Sequence, residues 1–224
     1  MTTTDREPGG PVLLYAVTPI HVDDAELARR QARYDQLCPP GLRVELHDIG
    51  PDAPRALDTE QQVRDSEGLV TAALEAAPDH ADALLPDCVL DPGVPDLQAR
   101  LDRPVYGLLR TSSTWSVLSG RRFGAVTRNP AIAAELERQV GVYGLTGSFT
   151  GGEVLDLDVA AIHEGTRWAD ALGAAVGRMS PAGAGDLVNG CSAVDLPAEA
   201  ASWPVRVVDP TALTLALVAA GEAR

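Results

Sequence analysis

The chain carries its β/α pattern twice, and a chain built from two copies of one α/β unit has few folds open to it. Short apolar runs that read as strands fall at 12–18, 43–49, 83–88, 104–108, 122–127, 152–157, 186–191 and 205–209. Segments of helical period fit between them at 23–37, 60–77, 94–101, 113–119, 131–140, 159–178, 196–202 and 211–220. Ala16-Val17-Thr18 recurs as Ala125-Val126-Thr127, the run ending in Cys88 as the run ending in Cys191, and Pro104-Val105 as Pro204-Val205, in unchanged order. Both cysteine runs are entered by an aspartate, Asp82 and Asp186. The expectation is an α/β fold of two pseudo-symmetric domains, each a small, mainly parallel sheet flanked by helices, with the active site in the cleft between them. Ligands of open parallel sheets sit beyond the carboxyl ends of the strands, which sets Cys88 and Cys191 on opposite walls of that cleft.

Charge and composition exclude several functions. The 224 residues hold 32 carboxylates against 18 basic side chains, a net charge of −14, so nucleic acid and anionic membrane surfaces are repelled and neither is an expected partner. All the basic side chains are arginines. Without lysine there is no Schiff base, which removes pyridoxal-phosphate and class I aldolase chemistry, and no Walker A loop. His21, His47, His80 and His163 show no metal-ligand spacing, so neither a metal nor a cofactor is expected. Three cysteines, an odd number, suit free thiols in a reducing compartment. The N-terminal stretch MTTTDREPGG has no basic segment leading into an apolar one, and no apolar run reaches spanning length. A cytoplasmic protein acting on a small molecule is expected, with homo-oligomerisation left open.

Several motifs resemble one family. Cys88-Val89-Leu90-Asp91-Pro92-Gly93 resembles the C-x-x-D-P-G segment of hydantoin racemases. Leu118-Ser119-Gly120-Arg121-Arg122-Phe123, followed by Ala125-Val126-Thr127, is similar to their L-G-R-R-F…V-V-T stretch. Gly190-Cys191-Ser192 is similar to their second G-C-(A/T/S) motif, and Val207-Val208-Asp209-Pro210 to their closing V-V-D-P. The resemblance, to the Asp/Glu/hydantoin racemase superfamily, implies a cofactor-independent racemase or epimerase. In such an enzyme Cys88 and Cys191 lie on opposite faces of a carbonyl-activated carbon of an amino-acid derivative or hydantoin, one taking a proton as thiolate and the other returning one as thiol. It also implies a crossed chain, with residues 1–103 plus 205–224 in the first domain and 104–204 in the second. The same lineage supports decarboxylation and cis–trans isomerisation of a similar enolate, and a non-catalytic small-molecule binding protein is the alternative of another class. Two matched cysteines count against a mere binder, which has no use for them.

Around the cysteines the residues divide into ligand candidates and frame. Thr18 and Thr127 end the first strand of each half, and Ser112 and Ser192 lie in loops near the cysteines, so these four are the candidates for holding a carboxylate or carbonyl. Each cysteine shortly precedes a predicted helix, whose N-terminal amides would favour a thiolate. Asp87 precedes Cys88, and strand alternation should turn it to the other face. Asp91 and Gly93 read as turn residues, Arg128 as a solvated surface arginine, His21 as non-catalytic and Cys38 as a small buried hydrophobe. The chain departs from the hydantoin-racemase pattern in its first loop, Val17-Thr18-Pro19-Ile20-His21 in place of I-N-P-N-(T/S), and at Arg110-Thr111-Ser112-Ser113, where a Glu-Ala-Ala run is usual.

Overall fold

The structure, a computed structural model, describes residues 10–179 and 183–222. The N-terminal stretch read above for a leader falls almost wholly outside them. In chain order the elements are β1 (Val12–Val17), α1 (Asp24–Leu37), β2 (Leu42–His47), α2 (Glu60–Glu75), β3 (Ala83–Pro86), α3 (Val94–Arg100) and α4 (Leu108–Leu118). They continue with β4 (Phe123–Thr127), α5 (Pro130–Val142), β5 (Phe149–Val154), α6 (Gly165–Met179), β6 (Asp186–Asn189), β7 (Arg206–Val208) and α7 (Pro210–Glu222). Two separate sheets form, ordered β2-β1-β3 and β5-β4-β6-β7, with every pairing parallel. The duplication is therefore topological: in each half the first strand takes the centre, the second pairs on one side and the third on the other.

Local chemistry explains most of these elements. β1, β3 and β4 are near-continuous apolar runs, as strands covered on both faces must be; β6 sets Leu187 and Val188 between the polar Asp186 and Asn189, and nearly all residues of the four strands are buried. Asp23 caps α1 by accepting from the Glu26 amide, Thr59 and Gln62 form a capping box on α2, and Asn129 caps α5 with Pro130 as its first residue. The equivalent caps Asp23 and Asn129 stand just beyond the carboxyl ends of the two central strands. Helices thus begin where a ligand would lie.

Several sequence expectations are corrected. The strand expected at 104–108 is a single bridge, Leu84 to Val105, and α4 begins at Leu108 instead of 113. The cap of α4 explains the miss, because it comes from Asp91, distant in sequence, whose carboxylate accepts from the Leu109 and Arg110 amides. Ser112 consequently lies inside a helix. β5 begins at Phe149, with a register shift opposite Phe123 and Ala125, so the glycine pair at 151–152 lies within the strand. The helix expected over 159–178 is a 3-10 turn, Val159–Ile162, followed by α6, and the one at 196–202 is the 3-10 turn Ala198–Ser202. β7 pairs with β6 in the second sheet, and α7 packs on α4, α1 and β2.

A buried carboxylate fastens the second sheet. Asp186, at the start of β6, accepts from Arg121 Nε at 3.0 Å and from Arg206 at 2.6 and 2.7 Å, which holds its carboxyl below the usual range despite burial. Asp186→Ala should lower the unfolding free energy by about 2 kcal/mol, the scale of charged hydrogen bonds, as measured by urea denaturation. An unchanged midpoint would mean that both arginines find equal partners in water.

Candidate active site

β3 and β6, equivalent strands beside the two central ones, each release the chain into a cysteine turn. After Pro86 the chain bends, with the Asp87 amide bonded to Val17 O and the Cys88 amide to Pro86 O, both at 2.8 Å. The turn closes by a bond from the Asp91 amide to Cys88 O at 3.1 Å, with Asp91 (φ 50°) and Gly93 (φ 71°) both left-handed. In the other half Gly190 precedes Cys191, and a Cβ there would lie 1.9 Å from Val126 O. The glycine of the G-C-S motif is thus required by close backbone approach to β4. Each sulfur takes a hydrogen bond from the amide two residues on, Cys88 from Leu90 and Cys191 from Ala193. These donors belong to the cysteine turns themselves. The helices expected to supply them begin further along, at Val94 and Ala198.

Both cysteines line one cavity of about 60 Å³, whose wall draws on both halves of the chain. Ile20, Leu57, Ile132, Val159, Ile162 and Trp168 make most of that wall apolar. Its charged groups are all committed. Arg30, 4% exposed, donates to Glu26 Oε1 at 2.7 Å and to Asp87 Oδ2 at 3.3 Å. Arg128, also 4% exposed, pairs with Asp58 at 2.7 Å and donates to Leu57 O and Leu157 O. Asp87 accepts a further bond from Tyr34 Oη at 2.8 Å. Asp87 therefore borders the same cavity as Cys88: the strand has ended at Pro86, so alternation no longer applies. Arg128, read as a surface residue, is buried.

Burial sets the ionisation of this region. It pushes the Cys88 thiol far above its ordinary range, with Asp87, Asp91 and Cys191 adding to the rise against the Leu90 amide. Burial also raises Cys191, opposed by the Ala193 amide and by Arg30 and Arg33. The lowering expected from helix ends is outweighed by desolvation. Asp91, fully buried, is pushed up to about 6 by burial even though its carboxylate accepts from the Leu109 and Arg110 amides and from Tyr143 Oη.

Of the proposed ligand residues, only Ser192 lines the cavity, and its hydroxyl donates to Asp87 O at 2.9 Å, joining the two cysteine turns. Thr18 and Thr127 are buried outside the lining. Each donates to the carbonyl two residues on, Thr18 to Ile20 at 2.9 Å and Thr127 to Asn129 at 3.4 Å, and so shapes the loop that contributes to the wall. Ser112 is buried within α4, away from the cavity. Cys38 packs beside the core under α1 and β2. His21 bonds Asp48 at 2.7 Å and lines a neighbouring pocket. Sequence reading missed Arg30 and Tyr34. The i,i+4 pair Glu26/Arg30 is visible in the sequence, but such pairs usually face solvent.

Among the described residues no cluster of three or more His, Cys, Asp or Glu could hold a metal ion, and no helix is long and apolar enough to cross a membrane. Two parallel sheets related by duplication, each with a cysteine just beyond an equivalent strand, make a two-sheet α/β fold of the racemase type. The chain belongs to the family described as Asp/Glu/Hydantoin racemase, which matches residues 26–218. Among solved structures it is similar to allantoin racemase from Klebsiella pneumoniae, at 19% identity over 94% of this chain and 89% of that one, with a TM-score of 0.77. Allantoin racemase from Pseudomonas fluorescens matches at 15% identity, 93% and 89% coverage and a TM-score of 0.79. The maleate isomerase Iso from Pseudomonas putida S16 matches at 14% identity, 93% and 91% coverage and a TM-score of 0.65. No curated protein sequence matches the chain.

Two predictions follow from this geometry. Gly190→Ala forces the Cys191 turn away from β4 and should cost at least about 2 kcal/mol in urea denaturation, the scale of overpacking; a stable variant would show that the backbone yields freely. The pKa of Asp91 in the folded state, about 6, exceeds the ordinary value of about 3.9, so the native state holds the extra proton between them. Its contribution to stability is full below about pH 4 and is lost as pH rises through about 6. Asp91→Asn should flatten that part of the stability profile relative to wild type, as followed by denaturation at stepped pH.

Proposed function

We propose that the protein is a cofactor-independent racemase or epimerase that moves a proton between Cys88 and Cys191 across a carbonyl-activated carbon. The observation that carries this reading is that two thiols on equivalent turns of a duplicated fold line one cavity. In each turnover one sulfur, as thiolate, takes the proton and becomes a thiol. The other thiol protonates the opposite face and is left as thiolate, so the pair exchanges roles and no net proton is consumed. A thiolate held in an apolar cavity is a stronger base than one in water, which suits removal of a weakly acidic carbon-bound proton. The turn amides at Leu90 and Ala193 offset part of the cost of the sulfur charge.

The wall chemistry supports a neutral, amide-rich substrate with an apolar substituent, such as a substituted hydantoin or carbamoyl derivative. Both cavity guanidiniums already have carboxylate partners, and the remaining wall is largely aliphatic and aromatic. The second carboxylate of a free acidic amino acid would have to displace one of those ion pairs. On this reading Thr18, Thr127 and Ser112 act through the frame, the first two by shaping the wall loops, and Ser192 is the hydroxyl nearest the substrate. The cavity between the two sheets serves as the active-site cleft, and a reducing, cytoplasmic setting keeps both thiols free.

The test is a screen of single enantiomers of hydantoins, carbamoyl derivatives and amino acids in deuterium oxide. Racemised product should gain solvent deuterium at Cα while recovered substrate stays mostly unlabelled early in the reaction. Cys88→Ala and Cys191→Ala should each lower racemisation by about a thousandfold or more, since neither keeps both members of the acid/base pair. Each variant should still exchange the proton of one enantiomer, and the two should prefer opposite enantiomers. Near-normal turnover in Cys88→Ala would refute the two-thiol mechanism, and release of carbon dioxide would replace it with a decarboxylase.

A further inference from the structure

The duplicated backbone surrounds its two cysteines with unequal charge. α1 directs three arginines at the Cys191 turn: Arg29 donates to Ala193 O and Arg33 to Val194 O, each at 3.1 Å, and Arg30 lines the cavity that both sulfurs line. The equivalent helix of the other half, α5, brings Ile132 to the cavity and, at its end, Tyr143 to Asp91. The Cys88 turn receives one guanidinium bond, from the same Arg30 to Asp87 Oδ2 at 3.3 Å, against the two that Arg29 and Arg33 give the Cys191 turn; its other carboxylate, Asp91, is held by amides and a phenol.

The charged groups around Cys191 come from every neighbouring element. α1 supplies Arg29, Arg30 and Arg33 together with Glu26, which also faces His163 at 3.3 Å. The end of β3 supplies Asp87 and the Cys88 thiol, while Asp195 of the Cys191 turn and Asp209 after β7 both pair with Arg33. Asp195 is largely exposed, so solvent screens it. Glu26 and Asp87 balance Arg30 and Arg33 among the fully buried groups, whereas Asp91, beside Cys88, has no buried guanidinium bonded to it. We propose that Arg30, supported by Arg33, fixes the resting protonation of the pair, with the negative charge on Cys191 and the proton on Cys88. Arg30 is then a positioning residue for the base, and the fold's near-symmetry ends at the sulfurs. The inference rests on the acid/base reading of the two cysteines. Since the two enantiomers have equal free energy, the resting preference leaves the ratio of their kcat/KM at unity; it appears in kcat and KM separately.

The experiment follows thiolate ultraviolet absorbance against pH in a Cys38→Ser background, comparing a protein that keeps only Cys191 (Cys88→Ala) with one that keeps only Cys88 (Cys191→Ala). All four tyrosines are shifted upward into the range where a buried thiol also ionises, so phenolate absorbance is subtracted with a protein that lacks all three cysteines. Cys191 should ionise at the lower pH. Arg30→Met should raise its midpoint by about one unit, a tenfold loss of thiolate, and move Cys88 less, while Arg30→Lys should restore most of the shift. Cys88 ionising first, or equal movement of both midpoints in Arg30→Met, would overturn the proposal. If Arg30→Met fails to fold, the comparison of the two single-cysteine proteins decides alone. The titrations use no substrate: a failed ordering with both cysteines still required for turnover removes only the role of Arg30, and an intact ordering without turnover removes only the racemase reading.

Discussion

Asp87 joins the two halves of the molecule. Its carboxylate, 1% exposed, is held by Arg30 and Tyr34 of α1, and its carbonyl accepts the Ser192 hydroxyl from the turn of the other half. A carboxylate at that depth is tolerated only because a cation and a phenol satisfy it, and breaking such a buried pair typically costs about 3–5 kcal/mol. With Asp87 fixed, the Cys88 turn, α1 and the Cys191 turn have one arrangement relative to one another. The cavity between the sulfurs is a consequence of that arrangement.

The duplication extends to individual hydrogen bonds. Thr18 and Thr127 each donate to the carbonyl two residues on, Cys88 and Cys191 each receive the amide two residues on, and Asp23 and Asn129 each cap the helix after the central strand. These are backbone-directed devices, which survive in two copies because each needs only a local residue type. The contacts between halves follow no such rule. Gly190 stands where Asp87 stands in the other copy, one to let two strands approach and the other to carry a charge. A symmetric scaffold with asymmetric junctions can present two like thiols in unlike fields.

The residues show plainly what could be foreseen. The strand runs, the double pattern, the two cysteines at strand ends and the small turn residues at Asp91 and Gly93 were legible because each depends on spacing or on backbone sterics. The start of α4 was hidden because its cap, Asp91, lies some seventeen residues upstream in another loop. Ser112 was misplaced as a result, Arg128 was read as surface charge and Arg30 was not singled out, because nothing in a sequence states that a charged side chain will be covered.

By itself, then, the sequence determined the α/β class, the parallel pairing, the order of the two copies and the position of Cys88 and Cys191 just beyond equivalent strands, all of which are encoded in periodicities and local residue types. Tertiary structure alone decided that Asp87 borders the cavity, that Arg30 and Arg128 are buried with their partners, and that burial raises the thiols where helix ends had been expected to lower them. The reason is that desolvation and Coulomb energy depend on which groups are brought within a few ångströms and removed from water, and this is fixed only when the two copies close on each other.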